Sequence, residues 1–150
     1  WTASWANILG CGALLLIDYG FPRREDYHPQ RSEGTLMCHY RHHAHPDPFF
    51  LPGLQDITAH VDFTQVADAG MAAGLTLAGY TTQAQFLLAS GLTERLSRVD
   101  SSNTIQYLPL TNQVQRLVSP AEMGEFFKVI GFERGAVDLP AFNRARPLPL

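Results

Sequence analysis

The sequence predicts an α/β fold, and three observations carry that reading. Leu14, Leu15, Leu16 and Ile17 form an unbroken apolar run that ends abruptly in Asp18. Continuous runs of this kind, rather than alternation, mark strands buried on both faces of a parallel sheet. Helical and strand-like segments then alternate along the chain, the grammar of helices wound around a sheet. The 150 residues, 45% hydrophobic and 17% charged, describe one soluble globular domain or a piece of one, with enough chain to bury a core without staples.

Taken in order, Trp1, Trp5, Ile8 and Leu9 share one face of a predicted helix that Gly10 or Gly12 closes. The buried strand follows over 12–20. Gly20, Pro22, Pro29 and Gly34, set among charges, make 20–34 a loop. Residues 35–40 read as a short strand with Leu36, Cys38 and Tyr40 on one side. Pro46, Pro48 and Pro52 hold 41–55 in an irregular, extended connection. A connection that long is uncommon in a compact domain unless it is functional.

Residues 56–63 alternate Ile57, Ala59 and Val61 against Asp56, Thr58, His60 and Asp62. Asp62, with Gln65 three residues on, predicts the N-cap of a helix reaching about Gly74. Residues 75–80 read as a strand, and Thr81 or Thr82 caps a helix that buries Phe86, Leu87 and Leu88 and stops at Gly91. Another helix covers 92–99, a polar break 100–104, and a weakly helical stretch 105–118. Ser119-Pro120-Ala121-Glu122 combines an N-cap serine, a proline at N1 and a glutamate at N3, predicting a helix of one turn that Gly124 ends. Residues 125–135 read as a strand, and the Pro-containing tail after Asp138 is expected to be loosely held.

Composition removes several function classes. A net charge of −3 and a pI near 6.0 argue against nucleic acid as a partner. Lys128 is the single lysine and sits in an apolar run, so a phosphate-cradling P-loop is out. Cys11 and Cys38 make no disulfide framework, and no signal peptide or apolar run of membrane length is present, so a reducing cytoplasm is the expected compartment. The chain opens on Trp1 rather than methionine and is expected to start inside a longer gene product.

Chemistry is expected first at Asp18-Tyr19-Gly20, because open α/β sheets bind ligands outside the carboxyl ends of their strands. The competing reading is that Asp18 caps a turn and Tyr19 packs. If 56–62 is extended, Asp56, Thr58, His60 and Asp62 fall on one face. Otherwise that stretch is a solvated edge, with Asp62 as the helix cap, the role preferred for it. His39, His42, His43 and His45 suggest a metal, yet zinc needs three or four ligands converging from separate elements. Adjacent histidines on a proline-rich loop do not converge in this way, so no metal site is assigned. Tyr40, Arg41 and His42 are left to contact an anionic or polypeptide substrate.

The strings GALLLIDYG (12–20), GTL (34–36) followed by Tyr40 and His42, LPGLQDITAHVDF (51–63), GYTTQAQFLLASGL (79–92) and PAEMGEFFKVIGF (120–132) come in a familiar order. Together they resemble the C-terminal half of the MidA family of S-adenosylmethionine-dependent methyltransferases. That family includes mitochondrial proteins linked to respiratory complex I assembly by arginine methylation. The resemblance implies that residues 1–135 are the acceptor-side part of a class I methyltransferase domain, followed by the tail 136–150. The fold it implies is a partial doubly wound, Rossmann-like sheet. Residues 13–18 would be its fifth strand, 75–80 its sixth and 125–132 its antiparallel seventh, with 20–62 and 81–120 as helical and loop insertions.

The glycine-rich loop that holds the cofactor in this family is expected upstream of Trp1, and no G-x-G-x-x-G string occurs in the chain. S-adenosylmethionine would therefore serve the complete protein, the fragment alone being inactive. Methyl transfer is an in-line displacement in which the enzyme mainly aligns donor and acceptor, and carboxylates can fork a guanidinium. The resemblance thus points to Asp18 and Tyr19 as acceptor-site residues and His60 as general base. Tyr40, Arg41, His42, Asp56 and Asp62 would lie on the substrate side. The implied partner is a protein substrate, a respiratory-complex subunit among the candidates. Two other classes stand beside this one: a non-catalytic module whose long loops dock a polypeptide, and a metal-dependent hydrolase built on the histidines. With no fourth strand beside 13–18, the fragment is also expected to self-associate through that strand's free edge, or to rearrange residues 1–20 to cover it.

Overall fold

The computed structural model describes residues 1–150. Helix α1 (Thr2–Ile8) leads into strand β1 (Gly12–Phe21), which contains the apolar run. The first insertion holds α2 (Arg23–Asp26), β2 (Met37–Tyr40), β3 (His43–His45), β4 (Asp56–Thr58) and β5 (Val61–Asp62). Helix α3 (Phe63–Ala72) and strand β6 (Thr76–Thr82) follow. The second insertion is helical: α4 (Gln83–Ala89), α5 (Leu92–Leu96) and α6 (Thr104–Val118). Helix α7 (Met123–Phe126), β7 (Phe127–Arg134) and α8 (Pro140–Arg144) complete the order. No helix is long and apolar enough to cross a membrane.

The main sheet runs β5-β1-β7-β6, with β7 antiparallel to β1 and β6 on either side of it. Helices α1 and α3 lie on one face, α4 and α8 on the other, so the predicted α/β class and partial doubly wound sheet hold. Ala6, Phe63, Ala67, Leu75, Tyr80, Ile130 and Phe132 form the core under α1 and α3, and Leu14 and Leu16 join it from β1. Gly70 lets α3 sit this close, because a Cβ there would fall 2.5 Å from the Phe132 ring. On the opposite face Gly79 and Gly131 are cross-strand partners, and the Phe142 ring fills the space above both.

Arg134, at the end of β7, ties two helices together. Its Nη1 donates to the Ala6 and Leu9 carbonyls at 2.5 and 3.1 Å, and its Nη2 to the Ala73 carbonyl at 2.7 Å. These are carbonyls at the C-terminal ends of α1 and α3, where helices leave acceptors unsatisfied and cations are favoured.

Several expectations are corrected. Strand β1 is covered on one face only: Leu15 and Ile17 remain 40% and 46% exposed, because α8 stops over β6 and β7. Helix α1 turns Trp1, Trp5 and Ile8 outward and buries Thr2 and Ala6, since the small side chains Ala6 and Ala67 let α1 and α3 approach closely. The 41–55 connection begins with a hairpin, β2 pairing with β3 through Arg41 and His42 at φ 48° and 68°. Positive φ at both central residues is the primed turn favoured in hairpins, here built without the glycine or asparagine that would announce it.

The 56–62 stretch is not one strand. Strand β4 pairs with β2 in a separate sheet of order β3-β2-β4, whereas β5 pairs in parallel with Gly20–Phe21. A Cβ at Gly20 would collide with the Val61 backbone, so the glycine permits this pairing. Helix α4 buries Gln83 and Ala84 and leaves Leu88 exposed, because the buried Gln83 amide donates to the Leu117 carbonyl at 2.9 Å and fixes the helix rotation.

Ser119 ends α6 rather than starting a helix, and Gly124 lies inside α7. A proline just past a C-cap is as much a stop signal as a start. The tail is docked as well: Phe142 and Ala145 are buried, the Thr81 hydroxyl donates to the Arg146 carbonyl at 2.6 Å, and the Leu148 amide donates to the Tyr80 carbonyl at 2.9 Å. Its apolar side chains find the glycine slot that the prolines around them do not advertise.

Candidate functional site

Side chains alternate along a strand, so β1 sends Asp18 to the face of Leu14 and Leu16, and Tyr19 and Phe21 to the other. Tyr19 stands opposite Phe127 in the β1–β7 register, ring centroids 5.6 Å apart and nearly perpendicular. The break between β4 and β5 turns His60 toward the same place. Its ring meets Tyr19 edge-on at 5.8 Å and Phe21 at 5.0 Å. The Tyr19 hydroxyl shares a 2.5 Å hydrogen bond with the Thr58 hydroxyl. Tyr19 and His60 thus come together at the carboxyl end of β1, where a ligand of an open α/β sheet is expected.

They open onto a cleft of about 380 Å³, whose other walls include Arg31, Thr35, His39 and Thr58. The small sheet supplies the far side, since His39 sits on β2 and Thr58 on β4. His60 is half-buried and held through its backbone, whose amide donates to the Thr35 hydroxyl at 3.1 Å. Its Nδ1 is enclosed without a hydrogen-bond partner, so Nε2 is the nitrogen with access to the cleft. Loss of hydration, with Arg31 nearby, holds the imidazole below its ordinary range against a smaller opposing pull from Asp26. At neutral pH His60 is an uncharged imidazole able to accept a proton.

The other sequence-predicted site residues lie apart. Asp18 is exposed on the opposite face and accepts a hydrogen bond from the Tyr19 amide at 2.8 Å, while Lys128, its register partner, donates to the Glu125 carbonyl. Asp56 is exposed on β4 opposite His39. Tyr40 packs edge-on against Phe50 at 6.0 Å, and Arg41 and His42 are the exposed hairpin turn beyond it. His39, from the same histidine run, is the one that reaches the cleft, together with Arg31 from the preceding loop. An arginine among prolines and charges gave no periodic signal by which to find it.

Asp62 has two structural duties. It caps α3 by accepting from the Gln65 amide at 2.9 Å, and it pairs at 3.2 Å with Arg23, which also reaches Asp68. Asp62→Ala is therefore expected to cost about 1 kcal/mol of stability through the lost cap, read as a lower urea midpoint. An unchanged midpoint would remove the capping role.

The two junctions that lead from the main sheet directly into a helix, Asp62-Phe63 and Thr82-Gln83, are closed by side-chain caps on Gln65 and Gln85. Neither carries the glycine that lets a ligand approach a helix N-terminus, and the Asp62 carboxylate would repel an anion there. Neither junction therefore has the form of a glycine-bordered phosphate cradle.

Comparison with known proteins places this geometry in context. Residues 1–81 match the family model described as "Putative S-adenosyl-L-methionine-dependent methyltransferase". The chain is 32% identical over 127 residues to the mitochondrial protein arginine methyltransferase NDUFAF7 of Danio rerio, an alignment covering 82% of this chain and 28% of that protein. It is 55% identical to an uncharacterised Burkholderia thailandensis protein of known crystal structure, with a TM-score of 0.90, over 96% of this chain and 39% of that one. A second Burkholderia thailandensis structure, bound to S-adenosyl-homocysteine, matches with the same identity and TM-score over 96% of this chain and 38% of that one. The chain therefore spans between 28% and 39% of the length of these relatives.

Proposed function

We propose, on the premise that the chain belongs to this family of S-adenosyl-L-methionine-dependent methyltransferases, that residues 1–135 form the acceptor side of a methyltransferase. The observation that carries the reading is the convergence of Tyr19, Thr58 and His60 at the carboxyl end of β1. S-adenosylmethionine supplies the activated methyl group, and the backbone that cradles it belongs to sequence beyond these residues. This chain's part is to hold the acceptor and take up its proton: the neutral Nε2 of His60 is the base, and the Tyr19 hydroxyl positions the acceptor group. Asp18, on the other face, acts on the strand rather than in the cleft.

A protein side chain is the proposed acceptor, and arginine is supported by the Danio rerio relative's activity. A respiratory-complex subunit as substrate rests on the family resemblance alone. That relative is mitochondrial; cytoplasmic placement of this chain rests on its two unpaired cysteines, Cys11 and Cys38. Self-association is proposed for this 150-residue stretch taken alone, whose β1 edge opposite β7 is paired only at Gly20–Phe21.

The test uses a polypeptide that carries these residues together with the cofactor-binding segment. His60→Gln is expected to lower turnover about 10²–10⁴-fold, the scale of general-base catalysis. Because His60 titrates below the ordinary imidazole range, the acid limb of wild-type turnover should lie at lower pH than an ordinary imidazole would give, activity falling as the ring protonates. The variant should lose that acid limb. Wild-type turnover in His60→Gln would overturn the assignment.

A further inference from the structure

We infer that the Arg31 end of this cleft is a carboxylate-binding subsite, which engages an acidic side chain of the acceptor polypeptide beside the group to be methylated. The inference rests on the acceptor reading above and deepens it. Arg31 is half-buried, with its guanidinium 3.9 Å from the centroid of the Phe21 ring. Stacking on a ring face satisfies the flat of a guanidinium and leaves its edge donors pointing outward.

Those donors have no protein partner. Both ion pairs of the chain belong to Arg23, and no hydrogen bond is made by the Arg31 side chain. Glu25 and Asp26 share the surface hollows on the other sides of Arg31, but neither pairs with it, so the guanidinium fork is open to an outside anion. The cleft itself supplies none, for no aspartate or glutamate lines it. What it offers beside Arg31 are further donors: the Thr35 hydroxyl, His39, and the linked hydroxyls of Tyr19 and Thr58. The carboxylate that acts on His60, Asp26, is not among the lining residues, and its Oδ1 is enclosed.

An arginine guanidinium pushed to this end would meet like charge with no carboxylate to fork it. A carboxylate meets the planar fork that binds it two-handed. The volume, about 380 Å³, lies within the range of pockets that hold small ligands, so a carboxylate at the Arg31 end leaves room for a neighbouring group at Tyr19 and His60. The acceptor polypeptide read by this cleft therefore carries an acidic residue close to its methylated position.

Binding to the 150-residue chain tests this without turnover. N-acetyl-glutamate amide and N-acetyl-arginine amide are titrated separately while the imidazole C–H resonances of His39 and His60 are followed by NMR. The glutamate probe is expected to shift the His39 resonance saturably through Arg31, whereas any shift by the arginine probe should be confined to His60 and indifferent to Arg31. Arg31→Gln should weaken the glutamate probe about tenfold or more, the loss of one charge-assisted contact, and Arg31→Lys should recover part of it. Unchanged thermal unfolding of Arg31→Lys guards against a folding artefact. Saturable binding of the arginine probe alone, or glutamate binding indifferent to Arg31, would overturn the subsite. So would S-adenosyl-homocysteine displacing the glutamate probe in an Arg31-dependent way, because that assigns the guanidinium to the cofactor's carboxylate. Failure of the His60→Gln turnover test, by contrast, strikes the acceptor reading and leaves the carboxylate measurement intact.

Discussion

Phe142→Ala is expected to lower the unfolding free energy by about 3–5 kcal/mol, the cost of emptying a buried aromatic site. A typical domain holds about 5–15 kcal/mol in total. The ring lies over Gly79 and Gly131, paired residues of β6 and β7, and is 9% exposed. A Cβ at Gly79 would come within 2.7 Å of it, and one at Gly131 would collide outright. Gly131→Ala should therefore destabilise by about 1–3 kcal/mol through overpacking, and most of that cost should vanish once Phe142 is already alanine. Residues in direct contact couple by about 0.5–3 kcal/mol in such cycles. Urea titration of the two single variants and the double variant measures the coupling. Strict additivity would mean that the ring and the glycines do not hold each other.

Arg134→Ala should be the next most damaging change, at about 3 kcal/mol. It removes three charge-assisted hydrogen bonds and strands the Ala6, Leu9 and Ala73 carbonyls at two helix ends. The bonds share one side chain, so their individual values of about 1.5–3 kcal/mol do not add in full. Arg134→Lys should recover less than half, since a single ammonium cannot reach both helix ends as a fork does. Hydrogen exchange gives the sharper reading: amides of α1 should lose protection before those of β7. Equal loss across the sheet would assign Arg134 to global stability instead of the helix tie.

The sequence made the main sheet legible because its strands carry strong local signals. The Leu14–Ile17 run, the 75–80 segment and the stretch before Gly135 correspond to β1, β6 and β7. The Asp62 and Thr82 caps were equally readable, each being a local hydrogen bond within one turn. What stayed hidden depends on partners distant in sequence. Nothing within DITAHVDF says that Ile57 pairs with Cys38 while Val61 pairs with Gly20. Nothing within the tail says that Phe142 has two glycines to sit on. Of the candidate site, Tyr19 and His60 were legible as residue types at a strand end and on an alternating stretch. Their meeting was not, because it needs the kink between β4 and β5. Arg31 was invisible for the same reason: its significance lies in stacking on Phe21, a contact that no local spacing encodes.

The place of β7 in the sheet also sets the order in which the molecule can assemble. Both β1 and β6 take their long ladders from β7, which lies late in the chain, with Leu15 opposite Gly131. Contacts this distant close large loops before they return any energy, which slows folding. During synthesis the β1–β7 ladder must wait until both insertions have been made. Among these strands the long ladders close last, when Phe127–Arg134 enters between two strands already made. Until it arrives, the edges of β1 and β6 that face β7 stay unpaired, and unpaired strand edges are where aggregation begins.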